Sequence, residues 1–136
     1  MMESAATGIA GLFGVIGAGL GLGAIISPEW AARLVRMQAD PANPEGYAEF
    51  RATFGGVFLF LHLAFLASII LNQGVIGAAA VLSFGWGGAA LGRILSLMLD
   101  GEQVRTKHNF VSIIVETAAA IAFALPVANF VINPPA

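Results

Sequence analysis

The chain has 136 residues, enough for one domain around one core, yet 58% of it is hydrophobic and only 10% is charged, with a mean hydropathy of +0.87. Soluble domains carry about 25% charged residues, so six basic and eight acidic side chains cannot build a water-facing surface. The absence of cysteine excludes disulfides, thiolate metal sites and thiol catalysis, and a net charge of −2 supplies no basic field for nucleic acid.

Four apolar runs follow in chain order: Gly8–Ile26, Ala52–Leu71, Val75–Leu99 and Phe110–Ile132. A helix of about 20 residues crosses a hydrocarbon core of ~30 Å, and each run reaches that length. With their flanking turns they predict spans at approximately 8–26, 47–71, 75–99 and 108–132 within a single transmembrane domain, residues 1–136. The expected fold is all-α, an integral membrane four-helix bundle.

The first run is rich in glycine. Gly17 with Gly21 and Gly19 with Gly23 form two G-x-x-x-G pairs, which let helix backbones approach closely in lipid. They serve either packing within the protein's own bundle or association with a second chain. Gly85, Gly88 and Gly92 repeat the small-residue habit in the third run. Gly19–Ala24 also fits a dinucleotide-binding fingerprint, but it lies inside an apolar helix with no strand before it, so nucleotide binding is excluded. The leading residues carry no positive charge and no convincing cleavage site precedes Pro28, so the first run is expected to be a helix of the mature protein.

Ser27-Pro28-Glu29 reads as an N-cap, a first-position proline and a first-turn acid, and Asn43-Pro44-Glu45 repeats that signal before the second span. Between them, Trp30, Leu34 and Met37 form one helical stripe, and Glu29, Arg33, Arg36 and Asp40 another. This predicts a short amphipathic helix suited to the headgroup region. Asn72-Gln73-Gly74 is a tight turn, predicting an antiparallel hairpin of spans two and three, and Asp100-Gly101 ends span three. All six cationic residues fall toward the end of the spans carrying the first and third loops. By the positive-inside rule that end is cytoplasmic and both termini lie outside.

The informative residues are the charges inside the spans. Arg51, Arg93 and Glu116 lie at similar depth, roughly 10 to 15 Å from the cytoplasmic end at 1.5 Å per residue. Glu49 balances the second arginine. Buried charges are costly in lipid, so these four are expected to face inward and pair. Arg51, Gly55, Phe58 and His62 share one stripe, and Asn109, Ser112 and Glu116 another. Their convergence would line a polar pocket, or form an ion-pair network that only holds helices in register. His62 is the further candidate ligand, although a lone membrane histidine also serves as a hydrogen-bonded core residue. Pro126 is expected to kink the fourth helix. No metal-ligand spacing, catalytic motif or phosphate loop occurs, so neither a metal, a cofactor nor a catalytic residue is assigned.

At Glu49-Phe50-Arg51-Ala52-Thr53-Phe54-Gly55-Gly56, at Leu91-Gly92-Arg93-Ile94-Leu95-Ser96 and at Glu116, the chain resembles a bacterial family of small four-helix membrane proteins. That family is described only as a domain of unknown function, similar in outline to DoxX-type proteins. The resemblance implies a multi-pass protein of the bacterial cytoplasmic membrane and no established reaction. Three functional classes follow from the residues. The first is a non-enzymatic binding protein whose Arg/Glu cluster holds an anionic or amphiphilic small molecule. The second is an accessory subunit docking a larger membrane partner, or a second copy, through glycine faces. The third is an enzyme acting on a lipid or quinone, with Glu116 or His62 moving a proton.

Overall fold

The structure, a computed structural model, describes residues 2–43 and 45–134, with side chains from residue 5 onward. It is all-α, with no strand among the described residues. The helices are α1 (Met2–Ile26), α2 (Pro28–Val35), α3 (Gly46–Leu71), α4 (Val75–Leu99) and α5 (Lys107–Ile132), with one 3₁₀ turn at Glu102–Val104. Four of these, α1, α3, α4 and α5, are long and apolar enough to cross a membrane.

The distribution of side chains is that of a lipid-facing protein. Ile70 and Phe84 are 83% exposed, while the fully buried positions are small or aromatic: Ala10, Ala79, Phe65 and Phe123 at 0%. In water, so large an apolar surface would drive association; in lipid it carries no penalty. Alanine and glycine therefore fill helix–helix contacts, and leucine, isoleucine and valine face outward.

The chain forms two compact units, Gly14–Leu71 and Met1–Phe13 with Asn72–Ala136. In the first, the last turns of α1 pack on α2 and α3. Ser27 caps α2, its hydroxyl accepting from the Trp30 amide at 3.4 Å, with Pro28 in the first turn. The helix ends after Val35 because Arg36 adopts a left-handed conformation, φ 59°. Met37, Arg36 and Asp40 thus lie beyond the helix, and both predicted stripes are shorter than the spacing implied. The buried face of α2 is Pro28, Ala31 and Ala32, joined by Ala24 and Phe50, whereas Trp30 and Leu34 remain exposed.

The predicted cap before α3 differs. Pro44 lies outside the described residues, and Glu45 occupies the cap position without a side-chain bond. Asp40 instead organises the preceding turn, accepting from the Ala42 amide at 2.9 Å and from Asn43 Nδ2 at 3.3 Å. Residues Phe50–Val57 of α3 wind as a π-helix, a widened form that is rare and concentrated at functional sites. They coincide with most of the Glu49–Gly56 segment on which the family resemblance rests.

In the second unit, α4 and α5 run along each other. The tight turn before α4 places Asn72 and Gly74 in left-handed conformations, φ 52° and 71°. Gly101 follows α4 at φ 88°, which a side chain would strain. Thr106 caps α5 through a 3.2 Å bond from the Asn109 amide. Ser83 Oγ donates across to the Ala120 carbonyl at 2.9 Å, and Phe13 meets Phe123 edge to face at 6.5 Å. Pro126 lies buried inside α5, where it removes the amide that would bond the Ala122 carbonyl.

Candidate functional site

The hairpin of α4 and α5 assembles a polar cluster from three side chains. Arg93 lies two turns before the end of α4; Asn109 lies in the first turn of α5, and Glu116 two turns further along the same face. Arg93 Nε donates to Glu116 Oε1 at 2.7 Å, and its Nη1 donates to Asn109 Oδ1 at 3.2 Å. Asn109 Nδ2 donates in turn to the Val104 carbonyl at 3.2 Å, which ties the cluster to the loop before α5. Beside it, Arg105 Nε donates to the Leu97 carbonyl at 3.2 Å.

The two charges differ sharply in exposure. The Arg93 side chain is 32% accessible and that of Glu116 10%. Glu116 Oε2 is fully buried and has no hydrogen-bond partner among the described residues. Arg93 likewise leaves Nη2 without one among them. A buried carboxylate with a single charged partner depends on it, since removing one member of such a pair leaves an uncompensated charge costing about 3–5 kcal/mol. Net charge inside the cluster is zero, and the pair's unused capacity is three guanidinium N–H groups, one on Nη1 and two on Nη2, and one carboxylate oxygen.

The other candidate residues belong to the unit Gly14–Leu71. Arg51 donates through Nη1 to the Ile25 carbonyl. That carbonyl lies in the last turn of α1, where acceptors lack helical partners and the helix dipole is negative. Arg51 therefore serves as a long-range C-cap. Glu49 is exposed, with no ion pair among the described residues. His62 is 1% exposed; its Nδ1 lies 2.7 Å from the Phe58 carbonyl, an acceptor only, so Nδ1 carries the proton in this contact. The Phe58 ring stands 4.4 Å from the imidazole.

Gly17 gives the imidazole its room, since a Cβ at that position would overlap the ring. Along the same stripe of α1, a Cβ at Gly14 would meet Phe65 and Leu66 at 3.0 Å, and one at Gly21 would lie 2.5 Å from the Leu59 amide nitrogen. Gly23 faces Trp30, whose ring would be 2.8 Å from an added Cβ, while Gly19 has nothing within 4 Å. The close contact thus runs through Gly14, Gly17 and Gly21. Gly85, Gly88 and Gly92 on α4 also meet nothing within 4 Å.

Asn109 shares the polar stripe of Ser112 and Glu116, a spacing of seven that puts it on one helical face with Glu116, but its bond to Arg93 has no signature in the spacing. The capping role of Arg51 had no local signal, because its partner lies 26 residues away. A shallow groove of about 390 Å³ on another side of the α4–α5 pair is lined by Ser83, Gly87, Ala90, Thr117 and Ala120, among others, but not by Arg93 or Glu116. No group of three His, Asp or Glu side chains that could hold a metal occurs among the described residues.

Residues 5–126 match a family described as a domain of unknown function, DUF4345. No curated protein and no solved structure matches the chain.

Proposed function

We propose, from the premise that the chain belongs to the DUF4345 family, that it is a non-enzymatic membrane binding protein whose α4–α5 cluster holds the polar head of an anionic or amphiphilic small molecule. The observation that carries this reading is the state of Arg93. Its guanidinium is fixed by Glu116 and Asn109, partly accessible, and left with free donors, an arrangement matched to carboxylate or phosphate. Asn109 in the first turn of α5 brings the guanidinium to roughly 10 Å or less from the helix end, the depth of the headgroup boundary. The cytoplasmic face of a bacterial inner membrane is the proposed setting, with both termini outside and a helical bundle of DoxX-like outline.

Purification from native membranes in mild detergent, followed by mass spectrometry of bound small molecules, tests this reading. A molecule retained by wild type and by Arg51→Ala, but lost from Arg93→Ala, is the expected result. Identical small-molecule profiles in all three samples would reject it. Docking of a larger membrane partner is the second reading, favoured by the open face at Gly85, Gly88 and Gly92. It predicts a stoichiometric protein partner that Gly88→Leu displaces.

A further inference from the structure

The unsatisfied oxygen of Glu116 narrows the ligand class. Resting on the binding reading above, we infer that the Arg93–Glu116 cluster accepts a zwitterionic headgroup, one that carries an anionic phosphate oxygen and a primary ammonium a few bonds apart.

A ligand that engages both charged groups must exchange with the existing Arg93–Glu116 pair. Glu116 is 8% exposed, and Oε2 is buried and without a partner among the described residues. Arg93, a third exposed, is the more accessible member, and its Nε donates to the carboxylate oxygen Oε1. A simple anion that draws the guanidinium away leaves Glu116 buried with no counter-charge, a state the interior does not tolerate. A simple cation that displaces Arg93 from Glu116 strands the arginine instead. A zwitterion exchanges both partners at once: its phosphate takes the guanidinium, and its ammonium takes the place of Nε on Glu116. Charge stays balanced at every contact, and the N–H groups of a compact ammonium supply the donor that Oε2 lacks. A quaternary ammonium of the same charge has no N–H group and a larger radius, so it does not fit this role.

The same chemistry is presented by a phosphatidylethanolamine headgroup in the bilayer and by a free phosphoethanolamine-type molecule in the cytoplasm. The two sources are separable in one experiment. The full chain is reconstituted in phosphatidylcholine nanodiscs doped with phosphatidylethanolamine or phosphatidylglycerol, and retained lipids are counted by native mass spectrometry after release into detergent. Soluble glycerophosphoethanolamine, glycerophosphocholine and inorganic phosphate are added in parallel as competitors.

The expected result is Arg93-dependent retention of phosphatidylethanolamine over phosphatidylcholine by at least about tenfold, the worth of one or two hydrogen bonds. Glu116→Gln, which keeps size and loses charge, is expected to remove that preference while its thermal unfolding confirms a folded chain. Displacement by soluble glycerophosphoethanolamine identifies a free ligand, and its failure to displace identifies the lipid headgroup; both agree with the inference. Arg93-dependent binding that treats ethanolamine and choline alike, or that favours phosphatidylglycerol, overturns the zwitterion inference and leaves the binding reading standing. Retention that ignores Arg93→Gln in every lipid overturns both.

Discussion

Arg93 and Glu116 are unequal members of one pair, and this asymmetry sets what their substitution does. Removing the arginine leaves a buried carboxylate without its counter-charge, whereas Glu116→Gln leaves a guanidinium that is already a third exposed. Arg93→Gln is therefore expected to destabilise the protein by about 3–5 kcal/mol and Glu116→Gln by less. The double variant Arg93→Gln/Glu116→Gln should recover most of the loss. Thermal unfolding of the four proteins in one detergent checks this ordering, and additive losses would contradict the pairing. Asn109 occupies a similar position one step out. It accepts from Arg93 and donates to Val104, so Asn109→Ala removes two bonds and should lower stability by about 1–3 kcal/mol.

At the level of the helix, α1 shows how glycine spacing becomes a specific contact. Gly14, Gly17 and Gly21 lie against Phe65, His62 and Leu59 in descending order, as two antiparallel helices require. Gly19, only two residues from either Gly17 or Gly21, meets nothing. Gly17→Leu and Gly21→Leu should each destabilise the protein by about 1–3 kcal/mol or prevent its folding, while Gly19→Leu should leave the unfolding temperature within a degree or two. Equal effects at all three positions would mean that the contact runs elsewhere. The short helix α2 offers a second comparison. Ser27→Ala removes its cap and should cost about 1 kcal/mol, read as a lowered unfolding temperature.

At the scale of the molecule, the arrangement of charge predicts orientation. Arg33 lies in the last turn of α2 and Arg36 follows it, and Arg105 and Lys107 flank the start of α5, so the first and third connections carry four of the six basic residues. Because the chain has no cysteine, single substitutions report their side without background. Gln38→Cys and Gln103→Cys should be protected from an impermeant thiol reagent in intact cells and labelled after lysis. Gln73→Cys should react in both. The opposite pattern would invert the proposed topology.

Most of the architecture was legible in the sequence because lipid is an undemanding solvent for pattern reading. A run of about 20 apolar residues has almost no alternative but a helix, and Ser27-Pro28 and Gly101 mark their ends through local backbone preferences that need no neighbour. The Arg93–Glu116 pair was also foreshadowed, since two opposite charges in adjacent apolar helices must find each other. Other features depended on partners distant in the chain. Arg51 reads as a buried charge until the end of α1 lies beside it, and Asn109 reads as one member of a polar stripe until Arg93 reaches across from α4. The π-helical winding of Phe50–Val57 has no periodic signature that a sequence displays. Sequence alone determined the number and order of the long apolar helices, because each depends on contacts within a few turns and on transfer from water to lipid. Only the tertiary structure decided which glycines face another helix and which oxygen of Glu116 stays unsatisfied, because those follow from the rotation of one helix against the next.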